Sequence, residues 1–163
     1  VLTAASTGAT TINLSLSGTA VDPNITDFEF NACGNNSEPS DGFTEYSVVG
    51  DNQKWTCTTY GINNTNGVNM NGYSGGNIAN EDWLISPRIT KTFNNLPVLS
   101  FYSRGEFTGP ALQLLVSTDY DGVSNPDNFT WTDLNATFPP LNDTWTLTDG
   151  IDLSAYKDRK RDV

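Results

Sequence analysis

Apolar and polar positions alternate along the chain in short runs, and this pattern predicts β-strands. Clear examples cover residues 43–49, 96–103 and 111–118, the last two being the most apolar and therefore expected to be central. Further strands are predicted at residues 11–20, 25–31, 54–60, 129–134 and 144–148, with one more beginning at Trp83. No stretch has the period of an amphipathic helix of three turns. Short strands at this spacing predict an all-β fold, a jelly-roll β-sandwich of two antiparallel sheets.

Turn residues near position 22 suggest a domain boundary. Gly18 lies near the end of the alternating run of residues 11–20, and the Asp22-Pro23 turn follows this run. We expect residues 1–21 to be a strand remnant or linker of an upstream immunoglobulin-like domain, and residues 22–163 to be the jelly-roll domain. The final seven residues turn abruptly charged, which is not typical of the end of a core. They carry four of the chain's eight basic residues: Lys157, Arg159, Lys160 and Arg161.

Charge restricts the partners of the protein. Residues 1–156 carry 17 acidic and 4 basic side chains, a net of −13. Such a surface repels phosphates and anionic lipids, so we expect no nucleic acid partner. No apolar run reaches the roughly 18 residues of a membrane span, so none is predicted.

The absence of histidine restricts the chemistry. The chain has no histidine, which removes the Ser-His-Asp and Cys-His catalytic classes and most zinc sites. An enzyme would have to work with carboxylates alone, and no glycosidase-like pattern is present. We expect the protein not to be an enzyme.

Two cysteines, Cys33 and Cys57, are too few for a disulfide scaffold and lack metal-site spacing. A disulfide between them suits an exported protein and is the favoured interpretation, with two buried thiols as the alternative. The abundance of Asn, Thr, Ser and Gly is typical of extracellular all-β proteins, and we expect a secreted or cell-surface location. Several Asn-x-Ser/Thr triplets follow from this composition.

The stretch from Gly75 to Ile89 passes from a glycine- and asparagine-rich loop into a strand, with two carboxylates where the loop ends. Calcium takes six to eight oxygens from carboxylates, amides and carbonyls. The candidate calcium ligands are Glu29, Asp82, Asn80 and Asp51. Glu29 either faces solvent or reaches a cation beside Asp82. A second acidic group is explained equally well by ordinary turns: Asp119, Asp121 and Asp127.

Aromatic side chains are the other candidates for ligand binding, because the apolar face of a pyranose packs on an aromatic plane. Trp55 and Trp83 lie in clear strand alternation and are expected to be buried. The candidates for a sugar platform are Tyr73, Trp145, Trp131 and Tyr60.

Several segments together resemble one known family. The most specific are Asp82-Trp-Leu-Ile-Ser-Pro87 and, further along, Val116-Ser-Thr-Asp119; Gly42-Phe-Thr-Glu-Tyr46 and Asp152-Leu-Ser-Ala-Tyr156 also contribute. Over about residues 25–156 the chain resembles the choice-of-anchor J, or cleaved-adhesin, domain. These are jelly-roll domains of surface and secreted proteins of Bacteroidetes-type bacteria, related in fold to MAM-like and galactose-binding-like domains.

The resemblance implies a non-catalytic accessory domain that often binds calcium. A carbohydrate is the favoured ligand class, and a structural spacer or protein-interaction domain is the alternative. Family members usually continue with a further strand after the segment that matches residues 152–156, whereas here residues 157–163 end the sequence. The sandwich is therefore expected to lack C-terminal strands, or to receive them from another segment or chain. A strand-exchanged dimer at an exposed sheet edge follows as an expectation.

Overall fold

The computed structural model describes residues 25–50, 52–89 and 97–156. The predicted strand at residues 11–20, the boundary near residue 22 and the basic C-terminal segment lie outside these residues. Within them the chain is all-β, as predicted, with eight strands and three one-turn 3₁₀ helices. The strands are β1 Thr44–Val49, β2 Thr56–Thr58, β3 Gly67–Asn69, β4 Glu81–Ile85, β5 Val98–Ser103, β6 Leu115–Val116, β7 Thr132–Asp133 and β8 Thr146–Asp152. The 3₁₀ helices are Ile62–Asn64, Pro126–Asn128 and Ser154–Tyr156.

The strands form four antiparallel pairs: β1 with β4, β2 with β3, β5 with β8, and β6 with β7. Two of these pairings join distant parts of the chain, since β1 and β4 are separated by β2 and β3, and β5 and β8 by β6 and β7. Hydrogen bonds do not join the pairs into two continuous sheets in the described residues. The all-β class is confirmed, and the jelly-roll sandwich stays a prediction.

The β1–β4 pair has two chemically different faces. Tyr46 lies opposite Trp83, and Ser47 lies opposite Asp82. Because successive side chains of a strand point to opposite faces, the aromatic residues share one face and the polar residues share the other. Trp83 is half-buried against Trp131 on one face, and the Asp82 carboxylate oxygens are buried on the other face.

An aromatic cluster covers the Trp83 side of this pair. Its ring centroids are separated by 4.8 Å between Trp83 and Trp131, 5.3 Å between Trp131 and Tyr120, and 5.0 Å between Tyr120 and Phe129. Tilted and edge-on ring pairs at these distances contribute stability beyond area burial. This aromatic cluster connects β4 to the segments on either side of the second 3₁₀ helix.

The prediction of a strand at residues 25–31 is wrong. This segment has no strand, and Phe30 adopts a positive φ of 53° that interrupts any extended run. The alternation nevertheless identified the inward residues. Phe28 and Phe30 both lie with ring centroids 5.0 Å from Phe43, while Glu29 between them is exposed.

The favoured disulfide between Cys33 and Cys57 is present, with a Cα–Cα distance of 5.3 Å. Cys57 is fully buried and Cys33 nearly so. Backbone hydrogen bonds run beside it, from the Asn36 amide to the Cys57 carbonyl and from the Cys57 amide to the Ser37 carbonyl, each 2.8–2.9 Å long. The disulfide and these bonds fasten the loop after Cys33 to β2.

Three further elements differ from the predictions. β3 lies in a segment for which no strand was predicted. β6 has only two residues, both half-buried, and Leu112 within the predicted central strand is 48% exposed. β8 is longer than predicted, and Gly150 with a φ of 73° lies within it.

Few residues of the described part are buried. They are Cys33, Cys57, Thr58, Pro97 and Pro126. Most apolar strand residues are half-buried, which leaves much of the sheet surface without a covering layer among the described residues.

Candidate functional site

The Tyr73 loop, residues 71–78, is a small hairpin held by its own backbone. Tyr73 and Asn77 form an antiparallel bridge. The Ser74 amide donates to the Gly76 carbonyl at 3.0 Å, and the Ile78 amide donates to the Gly72 carbonyl at 2.9 Å. These bonds fix the loop conformation with no help from β-sheet neighbours.

The loop presents an aromatic ring among polar side chains. The Tyr73 side chain is 60% exposed. The Asn71 side-chain oxygen accepts from the Tyr73 amide at 3.1 Å, and Asn77 stands across the bridge. Asn71, Ser74 and Asn77 are all exposed. A ring flanked by amides and a hydroxyl offers one apolar plane with hydrogen-bond donors and acceptors around it.

Tyr60 is the second exposed aromatic platform, at 71%. Its amide donates to the Thr58 hydroxyl at 3.2 Å, which fixes the chain as it leaves β2. In the β2–β3 pair, Thr58 lies opposite Gly67 and Thr56 lies opposite Asn69. Tyr60 therefore follows one end of this pair, and Tyr73 follows the other.

Trp131 is not a free platform, because it is half-buried inside the aromatic cluster. Its indole N–H donates to the Pro126 carbonyl at 2.9 Å, and its ring packs on Trp83 and Tyr120. The structure therefore gives Trp131 a packing role in place of the surface role expected from the sequence.

Trp145 is half-buried, and a guanidinium group lies over its ring. The Arg104 carbon Cζ is 5.4 Å from the ring centroid. Arg104 in turn forms an ion pair of 3.1 Å with Asp143. A cation on an aromatic face is a favourable contact, and here it occupies one face of the ring.

The metal candidates are only partly supported. Glu29 is exposed and accepts from the Asn31 side-chain amide at 2.9 Å. Asp82 is half-buried on the polar face of β4, and its carbonyl accepts from the Trp55 indole N–H at 3.2 Å. Across the described ranges no group of three or more His, Cys, Asp or Glu side chains is placed to hold a metal ion.

Asn80 is the candidate with an unusual environment. Its Oδ1 atom is buried and has no hydrogen-bond partner among the described residues. It lies so close to Gly50 that a side chain there would collide with it, and Gly50 has a φ of 91°. Gly50 directly precedes Asp51, which lies outside the described residues. An amide oxygen is a suitable calcium ligand, and calcium binding at Asn80 stays a prediction.

The carboxylates of Asp119 and Asp121, in the second acidic group, accept hydrogen bonds from nearby residues in turns. Asp121 accepts from the amides of Val123 and Ser124, each at 2.9 Å. Asp119 accepts from the Ser117 hydroxyl at 2.6 Å and from the Thr130 amide at 3.2 Å. The Ser117 hydrogen bond, followed by those from Thr130, holds the pKa of the Asp119 carboxyl below its ordinary value.

Sequence reasoning missed the polar neighbours of Tyr73. Asn71 and Asn77 flank the loop that contains Gly72, Gly75 and Gly76, and their position two and four residues from an isolated tyrosine was the available signal. It also missed the ion pair between Lys54 and Glu45, 2.8 Å long, on the polar face of β1.

No protein-family model matches the chain, and no curated protein or solved structure is similar enough to it to be matched. In the part of the chain that the structure describes, no helix is long and apolar enough to cross a membrane.

Proposed function

We propose that this protein is a non-catalytic extracellular accessory domain that binds a carbohydrate at the Tyr73 loop. The observation that carries the proposal is the 60% exposed Tyr73 ring on a loop closed by its own backbone hydrogen bonds. A preformed loop loses little conformational entropy when a ligand binds, and this favours a weakly interacting ligand such as a sugar. The resemblance to the cleaved-adhesin domains supports the same function.

The charge of the chain narrows the class of sugar. The net charge is −11, and among the described residues only Lys54, Arg88 and Arg104 are basic. Uronic acids, sialic acids and sulfated sugars would be repelled by such a surface, and none of these three cations lies in the Tyr73 loop. We therefore propose a neutral pyranose ligand, held by stacking on Tyr73 and by hydrogen bonds to Asn71 and Asn77.

A secreted or cell-surface location belongs to the same proposal. The Cys33–Cys57 disulfide supports it, because disulfides persist in oxidising compartments. The absence of histidine from the whole chain supports a binding role over catalysis.

A glycan array carrying neutral and anionic oligosaccharides tests the proposal. The full chain should bind neutral glycans and should not bind anionic ones. The Tyr73→Ala substitution should abolish binding to the neutral glycans. Running the array with calcium and with EDTA separates a sugar that contacts the protein alone from one that needs a metal. Binding limited to anionic glycans would contradict the proposal, as would the absence of binding to any glycan.

The alternative function is a structural spacer or protein-interaction domain. It is supported by the tryptophans, all four of which are half-buried and engaged with other residues. Trp83 and Trp131 pack together, the Trp55 indole donates to the Asp82 carbonyl, and Arg104 covers Trp145. A spacer would bind no glycan on the array and would keep its folded stability in the Tyr73→Ala variant.

A further inference from the structure

A groove runs along β8 at a distance from the Tyr73 loop in the chain. One wall is β8 itself, over its whole length, and the other is the segment of residues 134–140. The groove encloses about 650 Å³, within the range of about 300–1,000 Å³ for ligand pockets. Two contacts attach residues 134–140 to the β5–β8 pair. The Thr148 hydroxyl donates to the Thr137 carbonyl at 2.9 Å, and Phe138 packs on Phe101 at 5.7 Å. We call this the β8 groove.

The second edge of β8 has no strand beside it among the described residues. β8 pairs only with β5, so the backbone N–H and C=O groups on its other edge have no ladder partner there. An edge of seven residues is about 23 Å long. Such an edge is a template for pairing with another strand.

The opposite wall is unable to close this edge. Residues 134–140 contain no strand, because β7 ends at Asp133. Pro139 and Pro140 have no backbone N–H and therefore provide no donor for a ladder. Residues 134–140 therefore do not pair with this edge as a strand, and their Thr137 carbonyl accepts from a side chain of β8, the Thr148 hydroxyl.

The lining of the groove mixes apolar and polar side chains, with acidic side chains at one end. Phe138 and Ile151 are half-buried, and Leu147 is 45% exposed. Asp149 and Asp152 also line the groove, and no Lys or Arg does. Asp149 accepts from the Ser100 hydroxyl, and Asp152 accepts from the Ser154 amide at 2.8 Å. These bonds hold both carboxylates in place along β8.

We propose that the β8 groove binds an extended strand of another polypeptide, with apolar side chains alternating with polar ones and a Lys or Arg facing Asp149 and Asp152. The backbone of the strand would pair with the β8 edge, its apolar side chains would fill the groove, and its cation would complement the two carboxylates. Strand addition of this kind takes affinity from main-chain hydrogen bonds and specificity from alternate side chains. Charge complementarity sets which strand is accepted.

Three synthetic peptides test this inference on the full chain by fluorescence anisotropy. The first is Thr-Val-Thr-Val-Thr-Lys-Thr, in which both valines and the lysine share one face of an extended strand. The second has Glu in place of the lysine, and the third has Pro in place of the central Val. We expect the lysine peptide to bind about tenfold more tightly than the glutamate peptide at low salt. The proline peptide should also bind about tenfold more weakly, because it lacks a backbone donor and its ring opposes pairing.

A charge-matched pair of variants locates the binding site. Asp149→Asn with Asp152→Asn should remove most of the preference for lysine over glutamate. Glu38→Gln with Asp127→Asn removes two carboxylates at exposed positions that do not line the groove, so this control should keep the preference. If the groove variant does not fold, the salt dependence of peptide binding to the natural chain tests the inference instead. Raising ionic strength from about 0.02 M to about 0.5 M should weaken the lysine peptide and not the glutamate peptide.

Several results would overturn the inference. They are equal binding of the lysine and glutamate peptides, no binding of any peptide, and an equal loss in the groove and control variants. A fourth is tighter binding of a peptide that copies the uncharged residues 10–18, since the preferred occupant would then be a segment of this chain. None of these results bears on glycan binding by the Tyr73 loop.

Discussion

Tyr73 and Asn77 pair as an antiparallel bridge, and this pairing fixes the backbone of the loop that exposes the Tyr73 ring. Three residues separate them, one of which is Gly75 with a φ of 70°. A left-handed position of this kind favours glycine and lets the chain reverse without strain. The ring is therefore presented by a turn that is closed by its own backbone hydrogen bonds.

Reduction of the Cys33–Cys57 disulfide should lower stability strongly. The bond closes a loop with a sequence separation of 24 residues, for which the chain-entropy model gives about 3 kcal/mol. Urea unfolding with and without a reductant measures the difference. The Cys33→Ser, Cys57→Ser double variant is the control and should show no further change on reduction. An unchanged urea midpoint for the natural chain under reductant would contradict the expected role of the bond.

Removal of the Trp131 side chain should destabilise the aromatic cluster. We expect Trp131→Ala to lower the free energy of unfolding by about 2–3 kcal/mol, less than for a fully buried tryptophan because Trp131 is only half-buried. Trp131→Phe keeps a ring against Trp83 but loses the hydrogen bond to the Pro126 carbonyl, and should cost about 1 kcal/mol. Equal midpoints for the natural chain and Trp131→Ala would show that the ring is not packed.

The contribution of Asp119 to the stability of the fold should depend on pH. Hydrogen bonds from Ser117 and Thr130 lower its pKa in the folded state below the ordinary value of 3.8. The carboxylate therefore stabilises the fold above pH 3.8, and this contribution is lost as the pH falls through the lower folded value. The gap in urea midpoint between the natural chain and Asp119→Asn should be constant near neutral pH and shrink in acid. A gap that stays constant into strong acid would contradict this assignment.

Calcium binding stays a prediction, and Asn80 allows it to be tested. If the buried Asn80 oxygen is a ligand, calcium should raise the melting temperature, EDTA should reverse the increase, and Asn80→Ala should abolish it. Magnesium is the control ion, because it accepts such irregular oxygen sites poorly. A melting temperature indifferent to calcium and EDTA would contradict the calcium prediction.

Local alternation predicted those parts of the fold that depend on neighbouring residues. β1, β4 and β5 were all indicated by the sequence, and Trp83 was expected in the interior. The strand at residues 25–31 failed because Phe30 takes a positive φ, which strand alternation does not reveal. The alternation still placed Phe28 and Phe30 correctly, since both pack against Phe43.

The candidate site was predictable where it depends on a single loop, and not where it depends on distant contacts. Tyr73 was expected to be exposed, because it interrupts a glycine- and asparagine-rich segment. Trp131 was expected to be available as well, but it packs on Trp83, 48 residues earlier in the chain. The Arg104 cation over Trp145 is likewise a long-range contact, 41 residues apart. No local pattern of residues encodes such contacts.

The most direct test of the account is the affinity of the full chain for a neutral oligosaccharide identified on the array, measured by isothermal titration calorimetry for Tyr73 variants. Tyr73→Ala should weaken binding by about tenfold or more, while Tyr73→Phe, which keeps the ring, should remain within about threefold of the natural chain. Tyr102→Ala is the matched control, because Tyr102 is 50% exposed on β5 and lies outside the loop. Unchanged affinity in Tyr73→Ala, or an equal loss in Tyr102→Ala, would contradict the claim that the Tyr73 loop binds carbohydrate.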